Sequence, residues 1–421
     1  MKKKNLIKNI ALALSLSIFS PLAYAKAEPV NVPKIYAKSA VSIDMDTMEV
    51  ILDYNSENKM YPASTTKLMT GILLAENKNK TDNLSYTKSA KEQPEYSLNT
   101  NVKPISIGET MSADDVMKAL LLFSANDASY VIADNVGENV DNFIKMMNDK
   151  AKEYGMENTN FVTPNGLHSG EHYTTALDLA ILGKKAYENS WVRETMALKK
   201  ASVKTSAGTI AIMDNRNKLL EKNGNIGGKT GYTTPAGKCL VSIYERDGRR
   251  IVGVVLNSIF DSEDSAVFND TEKIIDASYA AKKSTLIGKD EVVETLPIKY
   301  KVFRFFGPEK TIDVPFTSRQ NIEYYENDLN KKSIDKKIDV SLLNPWKLDT
   351  NVTAAKLTVT EPLTSKSYDL YPGISKSDLV KENLVLYVLA AVATLVILAL
   401  ITFIIAAIKR ASRKKRRKRY F

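Results

Sequence analysis

Pro62-Ala63-Ser64-Thr65-Thr66-Lys67-Leu68-Met69-Thr70 sets a hydroxyl and a lysine at the mouth of an apolar run that continues through Gly71-Ile72-Leu73-Leu74. The spacing of Leu68 and Ile72 predicts a helix over residues 64–74, and Pro62 suits a position at its start. Ser64 and Lys67 then lie one turn apart on one face. A serine hydroxyl is a weak nucleophile until a base takes its proton. A lysine can be that base when burial or a neighbouring cation favours the neutral amine. Backbone N–H groups near the helix start can hold the negative oxygen that attack creates. Alone, however, Ser-x-x-Lys more often marks a helix cap followed by a solvated lysine.

Two further clusters bear on the choice. Ser124-Ala125-Asn126 follows the apolar run Leu120-Leu121-Leu122-Phe123, so a hydroxyl and an amide on a loop leaving a core helix can point into one cleft. Lys229-Thr230-Gly231 stands in Gly227-Gly228-Lys229-Thr230-Gly231-Tyr232. This is no phosphate loop, because Gly224 is only four residues before Gly228 and a strand pattern follows instead of a helix. A lysine and a threonine on a strand edge, with glycines admitting a substrate backbone, suit recognition of a carboxylate.

S-x-x-K, then S-x-N, then K-T-G, in that order, is the serine acyl-transfer set. On these clusters the sequence resembles the low-molecular-weight penicillin-binding proteins, the serine D-alanyl-D-alanine carboxypeptidases. Residues 156–178, with Phe161-Val162-Thr163-Pro164-Asn165-Gly166-Leu167 and His172-Tyr173-Thr174-Thr175-Ala176, are similar to that family's middle segment. Asn215 and Asn217-Lys218-Leu219-Leu220 also fit. The resemblance implies Ser64 as acylated nucleophile, Lys67 as general base and Ser124 as proton relay. Asn126, Lys229, Thr230 and Gly231 would bind substrate, and the Tyr232 and Ser64 N–H groups would form the oxyanion hole. It further implies peptidoglycan stem pentapeptide or its precursor as substrate, β-lactams as covalent inhibitors, and neither metal nor cofactor. A DD-endopeptidase, a β-lactamase and a non-catalytic wall scaffold remain alternatives.

The ends of the chain assign the charge. The 421 residues carry 59 Lys and Arg against 49 Asp and Glu, a net +10. Lys2, Lys3, Lys4 and Lys8, an apolar stretch from Ile10 to Phe19, and Ala23-Tyr24-Ala25 read as an export signal over residues 1–25. Residues 384–408 contain no charge and are long enough to span a bilayer. Nine basic residues follow in the tail 409–421, which the positive-inside rule leaves in the cytoplasm, with the rest of the chain outside. Anionic lipid accounts for that tail. Without the two ends, residues 26–383 carry a net −3, which gives no basis for a nucleic-acid partner.

Between the ends, strands at residues 40–43 and 50–54 read as a hairpin, and residues 239–244 and 251–256 as another, turning at Asp247-Gly248. Helical spacing marks residues 113–123, 128–136, 140–154, 175–187 and 264–281. The expected fold is α+β, a serine β-lactamase/transpeptidase-like domain over residues 30–284 whose first and last strands meet. Extended segments at 292–300, 310–316 and 354–360 point to a small β-rich domain over 290–375. The single cysteine, Cys239, lies in a core strand and excludes an internal disulfide. His168 and His172, lacking a third ligand, read as surface histidines.

Overall fold

The computed structural model describes residues 31–94, 96–341 and 343–417. The expected export signal at residues 1–25 and the end of the tail, 418–421, lie outside the described residues. The chain forms two compact units. Of the described residues, one holds those up to Thr285 with Tyr324–Ile334 and Glu361–Thr364; the other holds Leu286–Glu323, Asp335–Thr360 and those from Ser365 onward.

The first unit is built on strands β1 (Ser39–Asp44) and β2 (Val50–Tyr54), helices α1 (Lys67–Asn77), α2 (Asn126–Gly137) and α3 (Ala176–Glu188), strands β3 (Asn225–Thr233), β4 (Gly237–Arg246) and β5 (Arg249–Ser258), and helix α4 (Ala266–Ala280). Its antiparallel sheet runs β2-β1-β5-β4-β3. The first strand does meet the last, with Val41 opposite Val254. Residue alternation decides the layers. Cys239, Val241 and Ile243 turn to the core shared with Leu68, Ile72, Leu179 and Leu182. Leu240 and Tyr244 turn to the opposite face, against Val267, Phe268, Ile274 and Ile275 of α4. The strand β3 is left at the sheet edge.

Two expected helices differ in form. The Ser64 segment opens as a 3-10 turn, Ala63–Thr66, before α1 begins. Ala63 has a left-handed φ of 48°, and Thr65 Oγ1 donates to Pro62 O at 2.7 Å, which tightens the turn. Residues 113–123 are α-helical only to Lys118. Ala119–Phe123 widens into a π turn, where Ala119 O accepts from the N–H groups of both Ser124 and Ala125.

The second unit is β-rich, with β6 (Val292–Lys301), β7 (Glu309–Ser318), β8 (Asp335–Asp339), β9 (Ala355–Glu361) and β10 (Thr364–Pro372) in the order β6-β7-β10-β9-β8. Three of these coincide with the extended segments read from sequence; β8 and β10 were not foreseen. Two segments inside 290–375 belong with the first unit. The first of these, Tyr324–Ile334, is anchored by the Asn327 and Asn330 side-chain amides, which donate to Val50 O at 3.0 and 2.9 Å. The chain then enters α5 (Leu384–Arg417), an exposed apolar helix with a mean hydropathy of 3.0 over its most apolar stretch.

Candidate active site

The 3-10 turn delivers Ser64 and Lys67 to the same point. Lys67 Nζ lies 2.9 Å from Ser64 Oγ, 2.9 Å from Asn126 Oδ1 and 2.6 Å from Asn165 O. The lysine is fully buried. Burial first, then the charges of Lys229 and Arg216, hold its ammonium well below the ordinary lysine range. A neutral amine has two N–H donors and one lone pair. The carbonyl oxygens of Asn126 and Asn165 can take the donors, which leaves the lone pair for the Ser64 hydroxyl proton.

The second cluster comes from the π turn. Ser124 sits in the left-handed region, φ 71° and ψ 34°, a conformation uncommon for a residue with a Cβ. Asn126 is the first residue of α2, and its N–H donates to Tyr96 O at 2.7 Å. The edge strand β3 brings the third cluster. Lys229 Nζ donates to Ser124 Oγ at 2.8 Å and to Thr230 O at 2.9 Å. Burial, then Arg216, lowers the Lys229 ammonium to about 7. Gly231 follows where β3 crosses the Ser64 turn: a Cβ there would fall 2.9 Å from Ser64 N and 3.1 Å from Pro62 O. Only glycine allows that approach. As an edge strand, β3 presents alternate backbone groups to an added chain. All eight residues singled out from sequence thus meet in one place.

The middle segment acts from below. Asn165 supplies its carbonyl to Lys67, and Thr70 Oγ1 donates to Pro164 O at 2.6 Å. Gly166, at φ +83°, passes so close to the Ala63 carbonyl that a Cβ would overlap it at 1.9 Å. His172 is buried, contrary to the surface position expected for it. Val162 N–H donates to its Nδ1 at 3.0 Å, so Nε2 carries the proton toward Thr66 Oγ1 at 2.9 Å. Burial, with smaller contributions from His168 and Lys67, lowers its imidazolium to about 4. Its partners lie on two different segments, which no local sequence pattern reveals. His168 is exposed, edge-on to Tyr61.

A cleft of about 510 Å³ opens over these groups. Its wall carries Ser64, Ser124, Asn126, Thr230, Gly231 and Tyr232, and also Arg216, Tyr96 and Phe260, which sequence reasoning passed over. The Arg216 guanidinium lies 5.0 Å from the Tyr96 ring and 4.8 Å from that of Phe123. Flanking Asn215 and Asn217 were the available signal for it. Cys239 is buried as expected, its thiol pushed up to about 12 by burial.

The fold and these groups have counterparts in known proteins. The chain is 28% identical over 342 residues to D-alanyl-D-alanine carboxypeptidase DacF of Bacillus subtilis, covering 80% of this chain and 86% of that one. It is 32% identical over 268 residues to DacC of Escherichia coli, covering 62% of this chain and 65% of that one. The crystal structure of the Streptomyces K15 DD-transpeptidase superposes with a TM-score of 0.55 at 28% identity, covering 59% of this chain and 99% of that one. Residues 26–259, more than half of the chain, match the family described as D-alanyl-D-alanine carboxypeptidase. The chain belongs to the D-alanyl-D-alanine carboxypeptidase family.

Proposed function

We propose that this chain is a membrane-tethered serine DD-carboxypeptidase that removes the terminal D-alanine from peptidoglycan stem pentapeptides through a Ser64 acyl-enzyme. The contact that carries this reading is Lys67 Nζ at 2.9 Å from Ser64 Oγ, in a fully buried setting that favours the neutral amine. Lys67 takes the Ser64 proton as Oγ attacks the penultimate D-alanine carbonyl carbon. The N–H groups of Ser64 and Tyr232 hold the resulting oxyanion. Collapse breaks the peptide bond, and the leaving amine takes the proton back from Lys67 through Ser124. Water then hydrolyses the ester. Asn126 aligns the substrate backbone, and Lys229 and Thr230 bind the terminal carboxylate beside Gly231. β-Lactams acylate the same oxygen. Residues 384–408 cross the membrane, with residues 26–383 outside and the basic tail in the cytoplasm.

The test is Ser64→Ala in the full chain. D-alanine release and covalent penicillin labelling should both vanish while the circular dichroism spectrum is kept. Retention of either activity by the folded variant refutes the role of Ser64. Incubation of the native enzyme with pentapeptide and with a crosslinked muropeptide dimer separates the alternatives: cleavage confined to the dimer makes it an endopeptidase, and rapid turnover of penicillin makes it a β-lactamase.

A further inference from the structure

The β6–β7 hairpin of the second unit ends in Phe303-Arg304-Phe305-Phe306-Gly307. Its turn is closed by backbone bonds, Phe303 N–H to Phe306 O and Arg304 N–H to Lys301 O. Phe305 and Phe306 are nevertheless 75% and 67% exposed. Adjacent bare phenylalanines on a well-formed turn mark a contact surface. The same tip holds the start of α5: Tyr387 donates its hydroxyl to Val302 O at 2.7 Å, and the Phe303 ring packs 5.6 Å from that of Tyr387 and 5.2 Å from that of Phe306. One turn earlier, buried Asn383 donates to the Tyr300 hydroxyl at 2.7 Å. The hairpin is therefore fixed at the first turn of the apolar helix.

Helix length sets the depth of that turn. The uncharged run 384–408 is about 37 Å long at ~1.5 Å per residue, against about 30 Å of hydrocarbon. The surplus is about one turn, close to the thickness of one interfacial layer. With the basic tail held at the opposite headgroups, Leu384–Tyr387 lies in the outer interfacial layer. The chemistry around the tip suits that layer. Lys299, Lys301, Arg304 and Lys310 stand against a single acid, Glu309, between residues 299 and 310. Trp346 donates Nε1–H to Lys301 O and packs 5.9 Å from Tyr300. Cations beside tryptophan and tyrosine are the pattern of a membrane–water boundary.

We propose that the hairpin tip inserts Phe305 and Phe306 into the outer interfacial layer, a second membrane contact beside the helix that fixes the tilt of the second unit on the bilayer. This rests on the reading that α5 crosses the membrane.

The full chain, in vesicles of phosphatidylethanolamine and phosphatidylglycerol, is labelled with a nitroxide at Phe305→Cys, Val352→Cys or Leu395→Cys. Cys239 is buried and stays unlabelled. Val352, 55% exposed, follows Asn351, which contacts Arg319 just past the far end of β7, about 30 Å from the tip. Collision with oxygen and with a water-soluble nickel chelate reports depth. At 305 the nickel collision rate should be at least fivefold below that at 352, with oxygen collisions raised toward those at 395. Adding Phe306→Asp should return the label at 305 toward the values at 352. Equal nickel access at 305 and 352, with 395 in lipid, overturns the inference and leaves the helix reading intact. Low access to both reagents at 305 marks burial against protein and also overturns it. Water-like values at 395 overturn the helix reading and the inference together. Penicillin labelling of each variant verifies that the first unit remains folded.

Discussion

Replacing His172 with glutamine removes a titration that the fold suppresses. In the unfolded chain the imidazole titrates near its ordinary value of about 6.5. In the folded chain burial lowers it to about 4. Between these values the unfolded state binds a proton that the folded state refuses, so stability falls as the pH falls. The contribution is complete above about pH 6.5 and lost by about pH 4. A gap of about 2.5 in pH, at ~1.4 kcal/mol for each, amounts to about 3 kcal/mol. Asp127 and Asp178 act in the opposite sense, since burial raises both carboxyls. They are common to both proteins and cancel in the difference.

The assay is thermal unfolding of the full chain in detergent, followed by near-ultraviolet circular dichroism from pH 7 to pH 4. Glutamine can still accept from Val162 or donate to Thr66, so losing one bond costs a pH-independent offset of about 1 kcal/mol. In a domain of this size each kcal/mol moves Tm by about 2–4 °C. Over the acid range the native protein should therefore lose about 6–12 °C more than His172→Gln. Parallel curves would refute the reasoning, because they would mean that the ring under the nucleophile turn is already charged, or is open to water, in the native state.

Two further perturbations probe the cleft. Gly231→Ala puts a methyl 2.9 Å from Ser64 N and 3.1 Å from Pro62 O; the strand must retreat by a few tenths of an ångström. Acylation by fluorescent penicillin should slow about 10- to 100-fold with Tm nearly unchanged; an unchanged rate would separate β3 from the oxyanion hole. Lys229→Gln removes a charge that helps keep Lys67 neutral. The limb of the acylation pH profile that rises as Lys67 loses its proton should move to higher pH, and a limb that stays in place would assign it to another group.

How far the sequence discloses this site depends on how local each interaction is. Ser64 and Lys67 sit one turn apart, so their meeting is written in the spacing; the Asp247-Gly248 hairpin is equally local. The Ser124 to Lys229 bond joins residues 105 apart, and only the family resemblance links them. The roles of His172, Arg216 and the carbonyl of Asn165 are harder to read, because each is defined by what other segments bring to it. In the second unit, β8 is exposed almost throughout and carries one apolar residue, Ile338, while β10 opens on the polar run Thr364-Ser365-Lys366-Ser367, so neither shows a strong apolar alternation.

Backbone strain is the other illegible part, and two of the non-glycine residues with positive φ adjoin the site residues. Ala63, before Ser64, and Ser124, before Asn126, both hold positive φ, at about 1–3 kcal/mol each. Neither residue has the glycine that would announce such a turn. Each lies at the end of a segment packed into one core: α1 is buried from Lys67 through Leu74, and the π turn from Ala119 through Leu122. Burial of those side chains fixes the segments, and the residue at each junction, Ala63 opening the 3-10 turn and Ser124 closing the π turn, must take whatever conformation the junction requires. The left-handed step at Ala63 carries Ser64 to the edge of β3, and the one at Ser124 turns its hydroxyl to Lys229. A more relaxed backbone at either point would keep the helices and lose the contact, so the strain is maintained by the core and expressed at the reacting oxygen.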